Sequence, residues 1–175
     1  RIMEGFENAA VIRSKDGLTL TNYHVVTDAD TDEIESNITL CYTISQFKLP
    51  RCVATGKVIA RNKEFDLALV LPDKRVDENG FSTDEPFQKY WRTSGEKFYA
   101  PPFKNTHTNP LPDIFDRLSI WGYHVVGGST ITVTSGYVSG FQFQEIGEDS
   151  AFRFIKTDAE INPGNSGGAA FNEHF

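Results

Sequence analysis

The chain has 175 residues, of which 39% are hydrophobic and 23% charged. That is enough to bury a sizeable core in one domain, or in two small halves sharing an interface, and it excludes a mostly disordered chain. The formal net charge is -7 and no run of Lys or Arg forms a stripe along which phosphates could lie, so no nucleic-acid partner is expected. No apolar stretch approaches the roughly 20 residues that span a bilayer, and the N-terminus lacks a basic region followed by an apolar core. The chain as it stands is expected to be soluble, with no membrane segment.

In chain order, Ala9–Arg13 and Leu18–Asn22 read as short strands joined by Ser14-Lys15-Asp16-Gly17, whose Asp-Gly pair suits a hairpin turn. The second strand runs into Tyr23-His24-Val25-Val26, which places His24 where a strand ends and the chain turns. Alone, a histidine beside valines reads as a hydrogen-bonded structural residue. Thr27–Asn37 carries Asp28, Asp30, Asp32, Glu33 and Glu35. A calcium loop starting at Asp28 would need Gly at position 33 and Glu at 39, where the chain has Glu33 and Thr39, so a solvated acidic loop is expected and no metal.

Ile38–Ile44 and Arg51–Ala60 are β-rich. They carry the only cysteines, Cys41 and Cys52, too few for a disulfide scaffold and without zinc spacing. A symmetric hairpin would set the two opposite each other and allow a cross-strand disulfide, but Ser45–Lys48 lacks tight-turn chemistry and two packed thiols are the expected state. After the turn Arg61–Glu64, Phe65–Leu71 has a buried-strand pattern with Asp66 at its entrance. A carboxylate buried there needs a partner, and a histidine Nδ1–H would serve.

From Pro72 to about Arg117 the strand pattern breaks into Pro, Gly, charge and aromatics. Thr83 or Asp84 is a candidate cap for a short helix in which Phe87, Tyr90 and Trp91 share a face that packs on the neighbouring sheet. Strand character resumes at Leu118–Trp121, continues at Thr130–Tyr137, and ends in a hairpin of Phe141–Gln144 with Ala151–Thr157. Between them, His124 lies in a glycine-bounded loop and is expected to make a loop hydrogen bond. Every convincing element is a strand, which predicts an all-β fold of two strand-rich halves: residues 1–75, a connector or insertion over 76–117, and residues 118–175.

Asp158–Gly168 carries the chemistry. A serine within Gly164-Asn165-Ser166-Gly167-Gly168 sits on a turn whose missing side chains admit a substrate carbonyl, so the Gly164 and Ser166 amides can face a developing oxyanion. A serine hydroxyl needs a base, and His24 and Asp66 precede it in the order His, Asp, Ser, the order of chymotrypsin-like proteases rather than subtilisins or α/β-hydrolases.

The segments Asp16–Val26, Asp66–Val70, Thr130–Gly140 and Thr157–Ala169 together resemble the trypsin-like domain of the HtrA/Deg serine proteases. The resemblance implies two Greek-key β-barrels with a cleft between them, His24 as general base and acid, Asp66 as its orienting partner and Ser166 as nucleophile. It further implies an oxyanion hole from the Gly164 and Ser166 amides and a specificity pocket lined partly by Ile161, favouring modest aliphatic side chains. Polypeptide substrates, often unfolded, a homotrimer, and an extracytoplasmic place follow from the family; no cofactor or metal does. Three features depart from the family: the aromatic insertion, His124 where proline is common, and the absence of a following peptide-binding module. Only nine residues follow Ser166, fewer than the second barrel requires, so a fragment with an incomplete second barrel is expected. A latent or inactive protease-like module that binds unfolded polypeptide is the alternative function, and an esterase using the same triad is a third.

Overall fold

The computed structural model describes residues 2–4, 6–8, 11–12, 16–36, 38–97, 112–124, 130–145 and 151–173. Among them the chain forms β1 (Ile2–Glu4), β2 (Phe6–Asn8), β3 (Val11–Ile12), β4 (Thr19–Thr21), β5 (Ile38–Tyr42), β6 (Arg51–Asn62), β7 (Leu67–Val76) and β8 (Ser82–Pro86). A single helix, α1 (Phe87–Ser94), separates these from β9 (Arg117–Gly122), β10 (Thr132–Glu145), β11 (Ala151–Thr157) and β12 (Ala169–Asn172). The all-β expectation therefore holds. None of the described helices is long and apolar enough to cross a membrane.

Two antiparallel sheets result. The first runs β2-β1-β5-β6-β7-β4-β3 with β8 added to β7, and the second runs β11-β10-β9-β12. The long β6–β7 pair shifts register between Ala54 and Gly56 and again between Val58 and Ala60. Such bulges insert an unpaired residue and bend the strand, which lets the sheet curl over its core. Val26, Leu40, Ala54, Val70 and Phe87 are fully buried there, joined by Ile38, Tyr42, Val53 and Trp91.

The helix packs on that core as its spacing predicts, with Phe87 and Trp91 buried and Tyr90 partly so. Phe87 stacks on Tyr42 at 5.8 Å between ring centroids and on Trp91 at 5.5 Å. Burial also pushes the Tyr42 phenol above its ordinary range. The capping expectation is corrected. Pro86 holds the N-cap position with no side-chain bond, and Gly95 closes the helix in the left-handed region at φ 69°. Thr83 and Asp84 lie in β8 instead, where the Thr83 hydroxyl donates to the Arg75 carbonyl at 3.1 Å.

Three further sequence expectations are revised. The strand pattern does not stop at Pro72, because β7 continues to Val76 and turns through Asp77–Gly80 into β8. The expected strands Thr130–Tyr137 and Phe141–Gln144 merge into one 14-residue strand, Thr132–Glu145, whose pairing with β11 shifts register between Val138 and Gly140. Cys41 and Cys52 form a disulfide rather than two packed thiols; they are direct cross-strand partners, as a symmetric hairpin would set them, and the register shifts only beyond them, between Leu40 and Cys41. Residues 2–8 carry two short strands that the sequence did not announce. The acidic loop behaves as expected of a solvated turn: Asp28 accepts from the Asp30 and Thr31 amides and the Thr31 hydroxyl, and these bonds, the Thr31 amide first, hold its carboxyl below the ordinary range.

Candidate active site

His24 lies in a one-turn 3-10 segment, Tyr23–Val25, entered directly from β4. Tyr23, Val25 and Val26 are buried and anchor the turn, leaving the imidazole at the surface. Asp66 immediately precedes β7, which pairs antiparallel with β4 through Thr21 and Ala68. The end of one strand and the start of the other are thus neighbours, and the two side chains meet although 42 residues separate them.

The contact is specific. Asp66 Oδ2 lies 2.8 Å from His24 Nδ1, and Asp66 Oδ1 accepts the His24 backbone amide at 3.0 Å. A carboxylate facing Nδ1 requires the proton there, so Nε2 of the neutral ring carries the lone pair. Asp66 is one of three non-glycine residues with positive φ among the described residues, at 50°, a conformation that costs on the order of 1–3 kcal/mol and persists only where the surroundings enforce it. Contrary to the expected burial, the Asp66 side chain is 43% exposed, because it sits in the turn ahead of β7 rather than within the strand.

The Ser166 turn connects two edges of the second sheet. On one side, Thr134 Oγ1 of β10 donates to the Glu160 carbonyl at 2.8 Å, and the Asp158 carboxylate accepts the Tyr137 amide. On the other, Ala169 begins β12 opposite Trp121 of β9. Between them two successive turns form, with the Asn165 amide donating to the Asn162 carbonyl and the Gly168 amide to the Asn165 carbonyl. Gly164 has φ 98°, and a Cβ there would run into the Tyr123 carbonyl and the His124 Cα, so only glycine fits. Gly122 is restricted likewise, since a Cβ would strike the Asn165 side chain.

Among the described residues, neither the Gly164 amide nor the Ser166 amide donates to any acceptor. The half-buried Ser166 hydroxyl also has no hydrogen-bond partner among them, His24 Nε2 included. The structure therefore joins His24 to Asp66 directly and does not close a bond from either to Ser166. Ile161 is 62% exposed five positions before Ser166, flanked by a bond from Asn162 Nδ2 to Glu160 Oε1.

Three residues that sequence reasoning passed over shape this region. Tyr123 donates its amide to the Gly164 carbonyl at 3.3 Å, and its phenol bonds Thr43 Oγ1 beyond β5, tying the two halves together. Asn165 is buried against Gly122, and among the described residues both of its side-chain amide atoms are unpartnered. Asn22 bonds across to both the Asp66 carbonyl and the Gly167 amide. His124 corrects an expectation: it is buried beside Gly164, and among the described residues neither ring nitrogen has a hydrogen-bond partner. His107 and His174 lie outside the described residues.

Two antiparallel sheets, the first carrying the His24–Asp66 pair and the second the Ser166 turn, have the architecture of the chymotrypsin-type fold. Comparison with known proteins is more specific. The family model of the trypsin-like peptidase domain matches residues 8–175, and the chain belongs to that family. It is 33% identical over 119 residues to the chloroplastic Protease Do-like 2 of Arabidopsis thaliana, covering 67% of this chain and 16% of that protein. It is 31% identical over 165 residues to the Probable periplasmic serine endoprotease DegP-like of Pseudomonas fulva (strain 12-X), covering 92% and 26%. Among solved structures, the HtrA-type protease AlgW with decapeptide superposes with a TM-score of 0.57 at 26% identity, covering 94% of this chain and 39% of that one. The chain is thus an HtrA/Deg-like domain of the trypsin-like peptidase family, and it spans less than a third of the length of these two curated relatives.

Proposed function

We propose that the chain is a serine endopeptidase that cleaves polypeptides through an acyl-enzyme on Ser166. The bond between His24 Nδ1 and Asp66 Oδ2 at 2.8 Å carries this reading, because it fixes the tautomer that leaves Nε2 ready to accept a proton. As Ser166 Oγ bonds to the substrate carbonyl carbon, its proton passes to His24 Nε2 and the carbonyl oxygen becomes an oxyanion. The unengaged Gly164 and Ser166 amides are its donors, and one such donor is typically worth a factor of about 100 to 1,000 in rate. Collapse of the tetrahedral species breaks the C–N bond, and the leaving amine takes the proton from Nε2. Water then attacks the ester, giving a proton to Nε2 that returns to Ser166 Oγ as the acid departs.

The exposed Ile161 is the apolar wall against which a modest aliphatic substrate side chain packs. Unfolded polypeptides are the substrates, since only an extended segment can lay its backbone along the turn. The test is intact mass after exposure to a fluorophosphonate, with Ser166→Ala alongside. One adduct on the wild type, lost in the variant, is expected. A folded wild-type chain that takes no adduct overturns the proposal, and adduct retained in the variant overturns Ser166 as its site.

A further inference from the structure

The strain at Asp66 and the placement of Ser166 meet in one side chain. Asn22 stands one residue beyond the last β4–β7 pair, Thr21 with Ala68, where the backbone ladder ends. Its side chain takes over from that ladder. Asn22 Nδ2 donates to the Asp66 carbonyl at 2.8 Å, and Asn22 Oδ1 accepts the amide of Gly167, the residue after Ser166. The two groups it holds come from opposite sheets, and both residues occupy the left-handed region, Asp66 at φ 50° and Gly167 at φ 77°. A primary amide is the one small side chain that offers a donor and an acceptor in fixed opposition, so a single residue can address a carbonyl and an N–H together.

We propose that Asn22 is a positioning residue that locks the His24–Asp66 pair and the Ser166 turn in register across the two sheets. The inference rests on Ser166 being the nucleophile. His24 and Asp66 are held in the first sheet and Ser166 in the second, and no hydrogen bond among the described residues joins Ser166 to His24 at rest. Their separation is then set by whatever links the sheets beside them, and Asn22 touches Asp66 on one side and the residue adjoining Ser166 on the other. A displacement of about 1 Å at a reacting centre is worth roughly 100-fold in rate, which is the scale on which the loss of this link is felt.

The experiment measures the inactivation rate constant and the binding constant for diisopropyl fluorophosphate, together with amide hydrogen exchange at Gly167. The wild type, Asn22→Ala and Asn22→Asp are compared, with melting temperatures recorded for each. In Asn22→Ala the inactivation step slows by about 10- to 100-fold with the binding constant unchanged, and the Gly167 amide exchanges faster. Asn22→Asp keeps the acceptor for Gly167 and loses the donor to Asp66, so it retains the Gly167 protection and an intermediate rate. If Asn22→Ala does not fold, Asn22→Asp carries the test through the same two readouts. An inactivation rate at the wild-type level in either folded variant overturns the proposal, as does a Gly167 amide that is unprotected in the wild type. A wild type that is never inactivated overturns the protease reading instead, while Gly167 protection still decides whether the clasp exists.

Discussion

The two sheets differ in how much of the fold each can support. The first closes eight strands, a helix and a disulfide around a continuous core that includes Val26, Leu40, Val70 and Phe87. The second buries Leu118, Ile120, Val138 and Ala159, while Val133, Tyr137, Phe143, Phe154 and Ile155 stand exposed along its strands. The His24–Asp66 pair belongs to the well-packed sheet and the Ser166 turn to the thinly packed one. Precision at His24 therefore comes from core burial on its flanks, whereas precision at Ser166 comes from local bonds: Tyr123 on Gly164, the two turns of 162–168, and Asn22 on Gly167.

Asp66→Asn is expected to give the largest effect. An asparagine can keep the contact while presenting an N–H to Nδ1, which reverses the tautomer, and fluorophosphonate labelling should slow by about 10⁴-fold with little change in melting temperature. Labelling within 10-fold of wild type would place the base elsewhere.

Core substitutions come next and separate the sheets directly. Phe87→Ala removes a fully buried ring from between Tyr42 and Trp91 and should cost about 3–5 kcal/mol in urea unfolding. Ile120→Val, in the smaller core, should cost about 0.5–1.5 kcal/mol. Equal losses at the two sites would mean that the second core is larger than the burial of its residues implies.

What the sequence discloses follows from the range of the interactions involved. The β10–β11 hairpin and the helix face Phe87, Tyr90 and Trp91 are local patterns, readable from alternation and from i, i+3, i+4 spacing. The continuation of β7 past Pro72 was hidden because a proline without an N–H reads as a strand breaker. Here it sits opposite Gly56, where a register shift already interrupts the ladder. The disulfide was hidden because Ser45–Lys48 carries no tight-turn signal to fix the hairpin register that pairs Cys41 with Cys52. Asn22 had no local signal at all, since its two partners lie 44 and 145 residues away. An asparagine at a strand end ordinarily reads as a turn residue.

The disulfide ranks third. It closes a loop of 11 residues' separation, and removing the cross-link by a Cys41→Ala, Cys52→Ala double substitution should lower stability by about 3 kcal/mol. Both cysteines lie in the first sheet, so the loss should appear as a lower urea midpoint, with the labelling rate of the folded fraction unchanged. A slower labelling rate in the folded double variant would show that the β5–β6 pair reaches the site, through Thr43 and its bond to Tyr123.

The smallest effect is expected on the outer part of the second sheet, and it bears on the whole comparison. Ile155 is 42% exposed in β11, opposite Phe141 of β10. Exchanging it for threonine keeps the β-branch that suits a strand and removes only apolar surface that is partly in water already, so unfolding should move by no more than about 0.5 kcal/mol. The measurement is decisive in the other direction too. A loss of about 2 kcal/mol or more is the cost of stripping a buried side chain, and it would mean that this face is covered in solution. The contrast between the sheets would then lie in what packs against them rather than in how many residues each buries within itself.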